Sequence, residues 1–204
     1  MKKYTVEFIC TFFFVLSIIG ALYNLSVLTP LYIGMALTAL VYMGGSTSGA
    51  HYNPAVTLGI YLNKKISSRD AFGYVIAQLL WAVCAFWVAK HGHHFTLAPF
   101  AIPLDLKAFF IAEALFTFAL VSVIYHTAVN RLTAGNSYFG LAIGAVVATG
   151  AVVVWKVSGG FFNPAVLLGI GLFGISMKTA LVILAGQICG AFVASWVYRY
   201  VVGK

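Results

Sequence analysis

Six long apolar stretches constrain this chain more than any other feature of its sequence. A helix that crosses a bilayer needs about 20 mostly apolar residues, and of the 204 residues only 8% are charged, whereas 62% are hydrophobic. So few charges could not cover the surface of a soluble domain, and the bilayer is therefore the expected solvent. The six predicted spans lie at about residues 5–23, 31–50, 71–90, 107–128, 138–157 and 178–202.

The basic residues indicate how these spans are oriented. Residues 1–23 start with two lysines and an apolar run, but no small-residue cleavage site follows, so we expect a retained first helix rather than a signal peptide. The net charge is +8, but the basic residues are scattered at span ends, which argues against a nucleic-acid partner and favours positive-inside topology. With both termini in the cytoplasm, the inner side receives Lys2, Lys3, Lys64, Lys65, Arg69, Arg131, Arg199 and Lys204, and the outer side receives Lys90, Lys107, Lys156 and Lys178.

The cysteines lack metal-ligand spacing, and the histidine-rich segment, although such loops can bind metal, is not expected to do so. Cys10, Cys84 and Cys189 lie inside apolar stretches, where packing is the expected role. Residues 90–94 place three histidines in an outer loop, and solvated side chains explain them better than a metal site does. We therefore expect no metal and no cofactor.

The two halves of the sequence repeat one pattern. Glu-x-x-x-Thr-Phe starts at Glu7 and again at Glu113, Asn-Pro-Ala occurs at 53–55 and 163–165, and a glutamine follows at Gln78 and Gln187. Each half contains three spans, and an odd number makes the second half enter the membrane from the opposite side. The repeats, at about residues 1–95 and 105–204 of a single domain, are therefore inverted, an arrangement that places broken helices and a transport path at the midplane.

The two Asn-Pro-Ala triplets predict the starts of two half-helices, near residues 53–62 and 163–172, which are too short to cross. Proline is favoured at the first helical position, and asparagine just before it acts as the cap. The chain before each triplet must be non-helical, and its carbonyls, at residues 48–51 and 158–161, are expected to line a narrow path. Two positive helix ends that meet at the midplane repel cations and protons, while the asparagine amides donate to a passing water. The six residues are Asn53, Pro54, Ala55, Asn163, Pro164 and Ala165.

Five polar residues in or beside the apolar stretches are predicted to support these loops. We expect Glu7 and Glu113 to accept N–H bonds from the irregular loop of their own half, with a proton relay as the less favoured reading. Gln78 and Gln187 are expected to cross-link helices. His51 precedes the first triplet, and loop bracing is preferred to gating by its titration.

Residues 48–57, Ser-Gly-Ala-His-Tyr-Asn-Pro-Ala-Val-Thr, resemble the first signature of the major intrinsic protein (aquaporin) family almost letter for letter. The paired Glu-x-x-x-Thr-Phe and glutamine motifs fit the same family, and the resemblance covers nearly the whole chain. It implies an all-α membrane fold, with six transmembrane helices and two re-entrant half-helices as an inverted repeat. It also implies a homotetramer with one pore per subunit, which passes water or small uncharged solutes passively.

One position departs from the family pattern. The family usually places arginine directly after the second triplet, and here Val166 stands there. The resemblance puts the other constriction positions at Ile33, Ala151 and Gly160, so the expected filter is wide, apolar and uncharged. Such a filter favours solutes larger than water or weakly hydrated ones, of the glycerol, urea or ammonia type. A swing of Lys156 into the filter is the alternative, although this side chain is expected to reach for the membrane interface.

Other function classes fit the sequence less well. A secondary transporter also uses inverted repeats and broken helices, but ion coupling needs titratable groups in the spans, and Glu7, Glu113 and His126 are the only candidates. A junction protein would need longer outer loops. We find no nucleophile–base pair in the spans and therefore expect no enzyme activity. A multi-pass location in the cell membrane is the remaining expectation.

Overall fold

The computed structural model describes residues 1–97 and 105–202, and these residues form helices, turns and loops without a strand. Lys204, which the topology prediction counts on the inner side, lies outside the described residues, as do the last residues of the second repeat. Six long helices and two short ones are present in the described part of the chain. They are α1 (Lys2–Tyr23), α2 (Thr29–Ser48), α3 (Pro54–Leu62), α4 (Ser68–Trp87), α5 (Leu106–Ile124), α6 (Phe139–Val154), α7 (Pro164–Gly171) and α8 (Met177–Val202).

The long helices agree with the predicted spans to within a few residues. Four of them are long and apolar enough to cross a membrane by length and composition: α1, α4, α5 and α8, where α4 and α5 are extended by the π-helical turns Val88–Gly92 and Tyr125–Val129. α2 has 20 residues, but polar and small residues at its ends dilute its hydropathy. α6 has only 16 residues and ends at Val154, because the chain then turns towards two glycines with positive φ, Gly159 and Gly160.

The helix contacts fall into equivalent pairs when α1–α4 are exchanged with α5–α8. α1 packs on α4 as α5 packs on α8, and α1 contacts α2 as α5 contacts α6. Each short helix lies against the last long helix of the other half, α3 on α8 and α7 on α4. Exchanging the two halves maps α2 onto α6 and α6 onto α2, so the contact between these two helices lies on the axis that relates the halves. These contacts are those of the inverted repeat that the sequence predicts.

Close packing on this axis depends on glycine. A Cβ atom added to Gly34 of α2 would lie 2.5 Å from the carbonyl oxygen of Gly144 in α6, and a Cβ on Gly144 would clash with the Gly34 carbonyl in return. Because the two backbones touch here, no larger residue fits without separating the helices. The two halves therefore meet at a contact between backbones, an approach that small residues allow in membrane helices.

Candidate functional site: two half-helix loops that meet

The short helices start where the sequence predicts. Asn53 caps α3, and its Oδ1 accepts from the N–H groups of Ala55 (2.8 Å) and Val56 (3.3 Å). Asn163 caps α7, and its Oδ1 accepts from Ala165 N–H at 2.9 Å. Pro54 and Pro164 occupy the first helical positions, where a missing N–H costs nothing.

The two caps are also bonded across the molecule. The Nδ2 of Asn53 donates to the carbonyl oxygen of Phe162 at 2.9 Å, and the Nδ2 of Asn163 donates to that of Tyr52 at 2.9 Å. Each asparagine therefore holds the residue that precedes the other one. An amide nitrogen carries two hydrogens, and one of each pair is used in this reciprocal bond. The N-terminal ends of α3 and α7, with their partial positive charges, are thus fixed against each other.

A buried carboxylate organises the chain before each cap. We name residues 48–53 loop 1 and residues 158–163 loop 2. Both oxygens of Glu7 accept bonds from loop 1: Oε1 from Ser48 Oγ (2.7 Å) and His51 N–H (2.9 Å), and Oε2 from Tyr52 N–H (2.7 Å). The amide of Gln78 donates to Oε2 at 2.8 Å. The carboxylate thus has four donors.

Glu113 repeats this arrangement in loop 2. Its Oε1 accepts from Ser158 Oγ (2.7 Å) and Phe161 N–H (3.0 Å), and its Oε2 accepts from Phe162 N–H (2.8 Å) and the Gln187 amide (2.8 Å). Both glutamates are fully buried. Removing a carboxylate from water is costly unless hydrogen bonds compensate it, and four donors for each group supply that compensation.

The backbone of both loops passes through the left-handed region at matching positions. Tyr52 has φ +48° and Phe162 has φ +50°, one residue before each asparagine. Such values are unusual for bulky residues and persist only where the surroundings hold them. Here the N–H of each aromatic residue is bound by a carboxylate and its carbonyl by the opposite asparagine. These bonds keep the aromatic residues in their unfavourable backbone conformation.

The two loops differ in what surrounds the carboxylates. In the first half, His51 Nδ1 lies 3.0 Å from Thr57 Oγ1, which also accepts from the Gln78 amide at 3.1 Å. Tyr74 donates to the carbonyl of Ser48 at 2.7 Å, so one of the carbonyls predicted to line the path is already bonded. In the second half the corresponding positions hold the apolar residues Phe161, Leu167 and Ile183.

A small cavity lies beside the paired asparagines. Its volume is about 20 Å³, enough for the centre of one water molecule. Both asparagines reach it, while most of its wall is apolar. The other lining residues are Phe14, Leu37, Ala50, His51, Tyr52, Val56, Leu120, Ile124, Ile143, Val147, Phe161 and Phe162.

The four predicted filter positions lie on separate elements. Gly160 of loop 2 packs against α6, since a Cβ built on it would be 3.2 Å from Cα of Ala151. Ile33 of α2, Ala151 of α6 and Val166 of α7 are all buried, with 6%, 2% and 3% of their surfaces exposed. The predicted filter is apolar at each of these positions. Lys156 is exposed.

The sequence-based prediction missed Tyr74, which bonds the Ser48 carbonyl, and three further residues of the loop network. Ser48 and Ser158 each donate to a carboxylate, and Thr57 joins His51 to Gln78. The repeat contains a signal for the serines, because each stands five positions before an asparagine cap. Thr57 has no such signal, since its counterpart is leucine. After α4, His93 stacks on Phe95, and the described residues contain no group of three or more His, Cys, Asp or Glu able to hold a metal ion.

Comparison with known proteins shows what this chain and its fold are similar to. The family model described as Major intrinsic protein matches residues 1–198. The chain is 34% identical to the glycerol uptake facilitator protein-like 6 of Lactiplantibacillus plantarum, over 98% of this chain and 97% of that protein. It is 31% identical to aquaporin NIP1-1 of Oryza sativa subsp. japonica, over 82% of this chain and 60% of that protein. The fold is similar to the solved structure of the aquaglyceroporin from Plasmodium falciparum, with a TM-score of 0.84, 21% identity, and 98% and 96% of the two chains covered.

Proposed function

The chain belongs to the major intrinsic protein family, and from that premise we propose that it is a passive channel whose apolar constriction favours weakly hydrated, uncharged solutes. That it is an integral membrane protein and a passive channel for water and small solutes follows from the family and from its apolar helices. The relatives are named for glycerol uptake and as aquaporins, so glycerol and water are the first solutes to test.

Ion exclusion is assigned to the meeting point of α3 and α7. The reciprocal bonds of Asn53 and Asn163 hold two positive helix ends together, and one hydrogen of each amide remains for a passing molecule. A cation there meets two repulsive dipoles, while a neutral molecule finds donors. A water oriented by both amides cannot readily pass a proton along.

The single observation that carries the selectivity is the residue after the second triplet. Val166 is a buried aliphatic residue where the family usually has arginine. The constriction predicted from Ile33, Ala151, Gly160 and Val166 offers no charge and no aromatic ring. Apolar walls replace few of the hydrogen bonds that a molecule leaves behind in water. Solutes with weak hydration, of the ammonia type, and small carbonyl compounds therefore cross most easily, and water crosses with a larger barrier.

The carboxylates argue for a channel rather than a coupled transporter. Ion or proton coupling needs a group that exchanges a ligand during transport. Glu7 and Glu113 have no exposed surface, and each already accepts four hydrogen bonds from its own half. A structural role for both residues follows, and we expect the same of His51, Gln78 and Gln187. We expect no catalytic activity.

The family resemblance also supports a homotetramer in the cell membrane, with both termini in the cytoplasm. The basic residues that set this orientation include the exposed residues Lys64 and Lys65, which follow α3, and Arg69, in the first turn of α4. Cross-linking in native membranes tests the subunit number. Protease accessibility of the 64–69 segment in sealed vesicles of known orientation tests the topology.

Stopped-flow light scattering on proteoliposomes tests the selectivity. An osmotic step with an impermeant sugar measures water flux, and steps with glycerol, urea and ammonium measure solute entry. We expect solute entry well above that of empty vesicles for at least one of them. Fast shrinkage in sugar without any solute entry would show a water-selective channel and refute the apolar-filter proposal.

The variant Val166→Arg sharpens this test, and Val166→Thr is its size-matched control. Arginine adds bulk and a charge, so solute entry should fall at least tenfold. Threonine has nearly the volume of valine and adds one hydroxyl, so solute entry should persist while water flux rises. If glycerol or urea permeates Val166→Arg as it does the unchanged protein, Val166 does not border the constriction.

A further inference from the structure

A second polar cluster lies at the other end of α3, away from Asn53. Nine helical residues separate them, roughly 14 Å along the axis. The cluster joins three elements: Asn63 follows α3, Tyr125 follows α5, and Ser195 lies on α8. The Tyr125 hydroxyl donates to the carbonyl of Gly59, and the Asn63 amide donates to the Ser195 carbonyl at 3.3 Å. None of these residues lines the cavity beside the paired asparagines.

Two oxygens of this cluster are buried without a partner. Within the described chain, Asn63 Oδ1 and Ser195 Oγ form no hydrogen bond, although Ser195 has no exposed surface. Both side chains lie within hydrogen-bonding reach of the Tyr125 hydroxyl, although no bond of good geometry joins Asn63 Oδ1 or Ser195 Oγ to it. Within the described residues, the buried hydroxyl of Ser122, one turn before Tyr125, also has no partner. Buried polar groups in native proteins nearly always have partners, so several unpaired ones together need an explanation.

The second half of the molecule shows that packing does not require polar residues here. Counting from the repeat motifs, the counterparts of Asn63, Ser195 and Tyr125 are Phe173, Phe86 and Ile19. Phe86 and Phe173 pack edge to face, with ring centroids 4.8 Å apart. Because the same helix arrangement closes with apolar side chains in one half, the polar set in the other half has a separate purpose.

We propose that Asn63, Tyr125 and Ser195 form a binding site for one ordered water molecule that is not part of the conduction path. The water donates one hydrogen to Asn63 Oδ1 and the other to the free lone pair of the Tyr125 oxygen, and it accepts from the Ser195 hydroxyl. The unpaired oxygens of Asn63 and Ser195 are then satisfied, and the water makes three bonds, the usual number for a buried water. It fastens the far end of α3 to α5 and α8.

The effect of Ser195→Ala on thermal stability tests this site, because its sign differs between the two cases. If water bridges the cluster, the substitution breaks a satisfied network, and the Tm in detergent should fall by about 2–4 °C. If the hydroxyl is an unpaired buried group, its removal relieves a penalty, and the Tm should stay or rise. Ser17→Ala is the matched control, since Ser17 faces outward on α1 and reports only the change in helix propensity.

A high-resolution structure of the unchanged protein gives an independent readout. Density about 2.8 Å from Asn63 Oδ1 and Ser195 Oγ would support the site. Density with five or six oxygen neighbours near 2.4 Å would identify a cation and overturn the assignment. Side chains that turn to bond each other directly would overturn it as well. Neither measurement depends on which solute the channel conducts.

Discussion

Residues 48–57 and 158–167 occupy equivalent places in the two halves and share most of their hydrogen bonds. In both, a serine and two backbone N–H groups bind a buried carboxylate, an aromatic residue adopts positive φ, and an asparagine caps a half-helix. The side chains around this scaffold differ. His51, Thr57 and Tyr74 form polar contacts in the first half, where Phe161, Leu167 and Ile183 stand in the second.

The features that both halves share are those that fix the fold, and the features that differ are not required by it. The shared elements are the carboxylate, the serine, the cap and the cross bond, and they fix the backbone at the midplane. The differing elements leave that backbone unchanged, so they are free to set the polarity of each approach to the centre. The residues after the two triplets, Val56 and Val166, are identical, so this position does not distinguish the halves.

The largest expected effect tests whether the two buried carboxylates, Glu7 and Glu113, contribute equally to stability. Glu7→Gln and Glu113→Gln each turn an amide NH₂ towards two donors, so two charge-assisted bonds are lost, at a cost of roughly 3–6 kcal/mol. We expect the two losses of unfolding free energy to agree within about 1 kcal/mol, because the donor sets match. Asp105→Asn is the control, since Asp105 caps α5 at the surface and asparagine caps equally well. A much larger loss in one half would break the equivalence.

A smaller effect is expected where the halves differ. Thr57→Val keeps the shape of the side chain but leaves His51 Nδ1 and one hydrogen of Gln78 without this partner, at about 1–3 kcal/mol. Leu167→Val at the equivalent position loses only one methylene, about 0.8 kcal/mol. Unfolding followed by intrinsic fluorescence in one detergent compares the pair. Equal losses would show that the polar contacts of the first half add nothing.

The smallest effect concerns one backbone position that differs in residue type. Ala50 has φ +52° and its counterpart Gly160 has φ +65°. Gly160→Ala should cost about 1–2 kcal/mol from the left-handed conformation, with added crowding against Ala151. Ala50→Gly should be neutral or stabilising by less than about 1 kcal/mol. Gly135→Ala, at φ +81° with nothing within 4 Å, isolates the conformational part. If Gly160→Ala stabilised the protein, or Ala50→Gly destabilised it, the left-handed backbone at this position would not be strained.

Much of this arrangement can be predicted from the sequence because it is repeated and local. The caps at Asn53 and Asn163 follow from the triplets, and the two glutamates are the only carboxyls inside apolar stretches. The reciprocal bonds to Phe162 and Tyr52 carry no local signal, because they join residues more than 100 positions apart. The cluster at Asn63, Tyr125 and Ser195 is equally hidden, since it depends on how α3 packs on α5 and α8. The early end of α6 also follows from the glycines of loop 2 and not from hydropathy.

The reciprocal asparagine bonds have a consequence for biosynthesis. Asn53 and its partner Phe162 are 109 residues apart, and a ribosome that adds 5–20 residues per second needs roughly 5–20 s to make the intervening chain. During that time loop 1 has its carboxylate and its cap, but the opposite half does not yet exist. The first half is therefore a partly assembled intermediate in the membrane during this time. The two half-helices bond to each other only after α7 has been synthesised.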